Sequence, residues 1–144
     1  MIYQFVQMHY WNNGFLNYFT LQQSPNFLLA LPMILITVFG VTEYFFEDPI
    51  RFLTLGSVVR EGKGNQVGFL QDRMLPHVYL WTFMFITCLL FMHVQVMQRF
   101  LSGIPVLYWY AAHRLQKQST FIIYYCVIYN LIATTLFAKF YPPA

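Results

Sequence analysis

The stretch Pro25–Thr42, PNFLLALPMILITVFGVT, contains no Asp, Glu, Lys or Arg. At a rise of about 1.5 Å per residue it comes close to crossing a hydrocarbon core of about 30 Å. Backbone inside lipid has no water to bond, so such a run must satisfy its own N–H and C=O groups as a helix. Two further runs, Met74–Gln98 and Gln118–Ala138, are equally free of formal charge. The pattern predicts an all-α transmembrane fold with about three membrane-spanning helices, over 26–46, 77–98 and 120–138. Loops are expected over 47–76 and 99–119. Pro25 suits a first helical turn, where a missing N–H costs nothing, and Pro32 should kink the helix that contains it.

Composition points the same way. The chain is 58% hydrophobic and 21% aromatic, with 9% charged residues, against about 25% charge in soluble domains. A net charge of +3, scattered along the chain, argues against nucleic acid as a partner and leaves membrane lipid as the expected surroundings. Cys88 and Cys126 both lie in apolar runs and read as small core residues. Neither a metal site nor a cofactor is expected, because no ligand spacing or phosphate-binding motif occurs.

The charges are unevenly placed. Nine of the thirteen lie between Glu43 and Arg73, and no carboxylate follows Asp72. The segment Phe100–Tyr110 is aromatic and interrupted by Gly103 and Pro105, so it predicts an interfacial or re-entrant piece rather than a span. With three spans, the 47–76 loop and the tail share one side, and the amino end and the 99–119 loop share the other. Arg and Lys then divide five against three, which places the charged loop in the cytosol. Glu43, Glu47 and Asp48 read as a solvated helix end.

Four short segments carry the functional reading. They are His9-Tyr10-Trp11-Asn12-Asn13-Gly14-Phe15-Leu16, Gln23-Ser24-Pro25-Asn26-Phe27-Leu28-Leu29-Ala30, Met92-His93-Val94-Gln95-Val96-Met97-Gln98-Arg99-Phe100 and Pro105-Val106-Leu107-Tyr108-Trp109-Tyr110-Ala111-Ala112-His113. In order and spacing they resemble the carboxy-terminal part of the PIG-V family of GPI mannosyltransferases. The resemblance runs from His9 to His113 and extends to the final span. It implies a multispan GT-C type glycosyltransferase of the endoplasmic reticulum membrane. Such an enzyme takes mannose from dolichyl phosphate mannose on the lumenal side and adds the second mannose to a glycosylphosphatidylinositol precursor glycolipid. It also implies that the family's acidic catalytic loop lies outside this chain, so its partners would include amino-terminal spans or an accessory membrane subunit.

The candidate substrate-binding residues are His9, Trp11, Asn12, Asn13, His93, Gln95, Arg99, Trp109 and His113. Trp stacks on sugar, amides bond hydroxyls, and guanidinium matches phosphate geometry. His93 is an ionisable residue at membrane depth, which marks it for function. Gln95, Gln98 and Arg99 share a helical face by i, i+3 and i+4 spacing. Sugar transfer commonly needs a base for the acceptor hydroxyl. With every carboxylate expected on the cytosolic side, the chain reads as an incomplete piece of the enzyme with no catalytic residue of its own. The alternative is a non-catalytic membrane subunit, or a channel or transporter fragment. A pore would favour polar residues repeated along one helix face, and the third run has only Asn130, Thr134 and Thr135 of that kind.

Overall fold

Helix α1 covers Ser24–Glu47, entered through a 3₁₀ turn at Leu21–Gln23 and with Pro25 in its first turn. Its buried residues are Ala30, Met33, Ile36, Thr37, Gly40 and Tyr44, an i, i+3, i+4 series that forms one inward stripe. The helix stops at Asp48, which is extended (φ −149°, ψ 85°). A residue before proline is pushed out of the helical region, and Pro49 follows. Asp48 then accepts a hydrogen bond from Arg51 N–H at 3.2 Å and so caps the short helix α2, Pro49–Leu53.

The computed structural model describes residues 15–16, 18–58, 68–117 and 120–138. Among them there are helices and turns and no strand. Helix α3 is Leu75–Phe91, α4 is Val94–Ser102, α5 is Pro105–Gln116 and α6 is Phe121–Ala138. Two helical stretches, Leu21–Glu47 and Asp72–Phe91, are long and apolar enough to cross a membrane; Phe121–Leu136 is apolar but shorter.

The helix expected over 77–98 does not run through. It ends at Phe91, and Met92 (φ −122°, ψ 165°) and His93 (φ −59°, ψ 134°) are extended before α4 begins. No Pro or Gly marks this break in the sequence. It is held from outside: Leu16 N–H donates to Leu90 O at 2.9 Å, and the His93 ring lies 4.0 Å from that of Tyr18.

The chain then returns beside α1 instead of entering a loop. Gln95 bonds Asn26, Gln98 bonds Leu29, and Tyr110 bonds Glu43. From Leu29 to Glu43 the helix rises about 21 Å, and from Gln98 to Tyr110 about 18 Å, at ~1.5 Å per residue. Helices α4 and α5 therefore make one broken pass, jointed at Gly103-Ile104, in the same direction as α1. This replaces the loop expected over 99–119 and its interfacial or re-entrant piece. It also places the end of that segment with the charged 47–76 loop, not across the bundle from it. The 47–76 segment is itself partly helical, with α2 and 3₁₀ turns at Gly68–Leu70 and Asp72–Met74. Arg51 ties the two halves of it by pairing with Asp72.

Helix α6 runs opposite to α1, with Phe121 near Phe39 and Tyr129 bonded to Gln98. Most of its side chains are exposed and apolar. Cys126 is among them, so only Cys88 is a core cysteine.

The core centres on Trp81, which is fully buried between α1 and α5 with Phe69 and Tyr110. Gly40 makes this possible. A Cβ there would lie 2.6 Å from Trp81 Cη2 and 3.1 Å from Tyr110 Cδ1. Overpacking of a rigid core costs about 1–3 kcal/mol. Gly40→Ala is expected to lose about that much stability in thermal unfolding of the detergent-solubilised chain, and adding Trp81→Phe should recover part of it.

Candidate functional site

Two polar clusters lie at opposite ends of α1. Asn26 and Glu43 are 17 residues apart, about 25 Å along the helix.

The first cluster joins α1 to α4. Tyr18 Oη donates to Gln23 Oε1 at 2.7 Å, and Asn26 Nδ2 donates to Gln23 Oε1 at 2.6 Å and to Tyr18 Oη at 3.0 Å. Gln95 Nε2 donates to Asn26 Oδ1 at 2.9 Å. One turn on, Gln98 Nε2 donates to Leu29 O at 3.0 Å while its Oε1 accepts from Tyr129 Oη at 2.8 Å. Burial pushes the Tyr18 phenol above its ordinary pKa, a shift partly offset by the bond from Asn26, so Tyr18 stays a neutral donor and acceptor. Gln95 and Gln98 face α1 because α4 buries Val94, Met97, Gln98 and Leu101 on one stripe.

The second cluster surrounds Glu43. Its Oε1 accepts from Lys117 Nζ at 2.7 Å and lies 3.3 Å from His113 Nε2. Its Oε2 accepts from Tyr110 Oη at 3.2 Å and Arg114 Nη1 at 3.4 Å. The four partners stand at i, i+3, i+4 and i+7 along α5 and its C-cap Lys117, which is one helical face. Phe69 packs behind them, its ring 5.0 Å from Tyr110 and 5.9 Å from His113. Beside this cluster an open groove of ≈ 290 Å³ is lined by Phe69, Met74, Trp109, His113 and Gln116 among others, and His77 meets Trp109 edge to face at 5.3 Å.

The sequence candidates are thus divided. His93 and Gln95 belong to the first cluster. Trp109 and His113 lie at the Glu43 end, remote from them. Arg99 is exposed on α4, six residues past His93, which puts it about 9 Å along the helix and not at the end of a span as expected. His9, Trp11, Asn12 and Asn13 fall outside the described residues. Among the described residues no group of three or more His, Cys, Asp or Glu could hold a metal ion.

Sequence reasoning missed Glu43, which is not a solvated helix end but has four partners. The signal was present in the Tyr110, His113, Arg114 and Lys117 periodicity, which calls for an anion. Reasoning also missed Asn26 and Tyr18. The placement removes one premise of the sequence argument, since a carboxylate and His113 share one end of the bundle. With both oxygens of Glu43 engaged, the arrangement works as a lock between α1 and α5. At the other end His93 is the ionisable group beside a set of neutral amides and a phenol.

A helical bundle with two stretches long and apolar enough to cross a membrane and a polar cluster at each end fits the class of membrane-embedded proteins. Residues 1–144 match the family described as Mannosyltransferase (PIG-V), and the chain belongs to that family. It is 39% identical over 125 residues to the GPI alpha-1,6-mannosyltransferase 2 of Homo sapiens, covering 82% of this chain and 25% of that protein. It is 32% identical over 144 residues to the GPI mannosyltransferase 2 of Candida albicans, covering 99% of this chain and 32% of that one. With the Chaetomium globosum GPI mannosyltransferase 2 it shares 39% identity over 150 residues, 99% of this chain and 30% of the relative. The chain thus spans about a quarter to a third of the curated relatives it matches. No solved structure matches it.

The Glu43 lock should be measurable. Leaving charged donors without their acceptor costs about 1–3 kcal/mol, so Glu43→Gln is expected to lower stability by about that amount. In a double-mutant cycle with Lys117→Gln the coupling should stay below about 1 kcal/mol, because Lys117 is half exposed.

Proposed function

We propose that this chain is the carboxy-terminal membrane portion of a GT-C type mannosyltransferase in GPI-anchor biosynthesis. The observation that carries this reading is the family match over residues 1–144. The enzyme would reside in the endoplasmic reticulum as a multi-pass protein and transfer the second mannose from dolichyl phosphate mannose to the GPI precursor. The bundle would cross the membrane as α1, α3, the α4–α5 pair and α6. No cofactor is invoked. The amino-terminal two-thirds or more of the relatives' length, or an accessory subunit, would supply the catalytic carboxylate.

The broken return pass redistributes the charges in a way that sharpens the orientation. Arg51, Arg73, Arg114 and Lys117 gather at the Glu43 end, and Arg99 is the one described Arg or Lys that does not. The positive-inside rule then places the Glu43 end in the cytosol. His93, Gln95 and the Tyr18–Asn26 amide network face the lumen, where transfer takes place, and Trp109 and His113 leave the substrate-binding set.

A graft tests the reading. This chain replaces the matching carboxy-terminal part of the human relative, in cells lacking that enzyme. Restored surface GPI-anchored proteins are the expected result, while this chain expressed alone should restore none. A graft of normal abundance that restores nothing would overturn the proposal.

Arg99 is the residue proposed to meet the donor phosphate. A cation exposed on a helix within the bundle needs an anion nearby, and a charge-assisted bond contributes roughly 1.5–3 kcal/mol. In the graft, Arg99→Ala should reduce transfer at limiting donor about ten- to a hundredfold. Arg99→Lys should retain part of the activity, since it keeps the charge and loses the fork. Unchanged transfer in Arg99→Ala would return Arg99 to a headgroup anchor.

A further inference from the structure

The Glu43 cluster sets one carboxylate against two permanent cations. Arg114 and Lys117 are 39% and 50% exposed at their side chains, and each has donors beyond its contact with Glu43. Arg114 also lines an open groove of ≈ 210 Å³ between α1 and α6, whose walls are Leu35, Ile36, Phe39, Phe121 and Ile122. A second apolar groove of ≈ 220 Å³ shares Phe121 and continues past Pro32 to Leu28 and Ile132. From Phe39 to Leu28 this track is about 16 Å long. It has a cationic end and apolar walls, and it lies beside the exposed apolar side chains of α6.

We infer that the α1–α6 groove is a binding site for an anionic diacyl phospholipid, with its acyl chain along Phe39–Phe121–Pro32 and its phosphate on Arg114 and Lys117. Charge complementarity selects the occupant. Glu43 neutralises one cation and leaves the other to an anion, and phosphate accepts from guanidinium and ammonium alike. The groove is shallow and open, which suits an abundant bilayer component better than a scarce ligand that needs enclosure. The site is distinct from the proposed donor contact at Arg99, which lies toward the other end of the bundle. Its test reads lipid retention and no transferase activity, so it can fail independently of the proposed function.

The full chain, purified in detergent, is exposed to micelles with equal phosphatidylserine, phosphatidylcholine and dolichyl phosphate, and retained lipid is read by native mass spectrometry. Phosphatidylserine should be retained over phosphatidylcholine by about fivefold or more, the preference expected for one cation near a lipid phosphate. The double variant Arg114→Gln, Lys117→Gln should lose that preference, and Arg114→Lys with Lys117→Arg should keep it. Leu35→Trp, which fills the groove, should lower retention of both diacyl lipids. Raising salt from about 0.05 to about 0.5 M should also erase the preference in the unmutated chain, which gives a readout if a variant fails to fold. Equal retention of the two diacyl lipids, a preference insensitive to salt or to the double variant, or displacement of phosphatidylserine by dolichyl phosphate would overturn the inference.

Discussion

The arrangement of the bundle depends on one carboxylate. Glu43 stands in the last turns of α1, whose other formal charge is Glu47, and Tyr110, His113 and Arg114 of α5, with Lys117 just after it, converge on it. An isolated carboxylate at the rim of a hydrocarbon core is costly, and it becomes tolerable only when donors replace its water. Tyr110, His113, Arg114 and Lys117 do so from one helical face. Because Glu43 is fixed in α1, its bonding fixes the end of the bundle to which α5 must point. That direction makes α4 and α5 a return pass rather than a loop.

The opposite end is held by neutral groups. Tyr18, Gln23, Asn26 and Gln95 form a chain of hydrogen bonds, and Gln98 joins α1 to α6 through Leu29 O and Tyr129. Amides and phenols need no counter-charge and carry a smaller desolvation cost than ions. They can therefore sit deeper among the helices than a salt bridge could. The cluster also sits beside the Met92-His93 break, so the strand-like joint between α3 and α4 is braced on both sides. Irregular backbone within a helical bundle is tolerated where neighbouring protein shelters it, as these polar groups do here.

Between the two ends the packing is aromatic and tight. Gly40 lets Trp81 lie against the α1 backbone, and Phe69, carried by the 3₁₀ turn Gly68–Leu70, closes the space under Tyr110. The 3₁₀ turn Gly68–Leu70 thus contributes to the core through Phe69. Tyr44 O–H donates to Gln71 O, and Tyr79 O–H to Phe52 O, so aromatic side chains of α1 and α3 satisfy a carbonyl of the segment before α3 and one at the end of α2.

The sequence by itself determined that this is a helical protein with runs apolar enough to cross a membrane, and where most of its helices lie. Charge-free apolar runs leave the backbone no alternative to intrahelical bonding, and that constraint is local. The short segments around His93 and Trp109 also carried the family resemblance, because family-specific words survive in linear order. The break at Met92-His93 was not legible, since Phe91 to Val94 holds no Gly or Pro and the contacts that hold the break are the Leu16 bond to Leu90 O and the Tyr18 ring on His93. The division of the candidate residues between two ends was equally hidden. His113 and Glu43 are 70 residues apart, and nothing local to either tells on which side of the bundle the other lies. Only the tertiary structure decided that, because the direction of a helix is set by the partner its polar face must find.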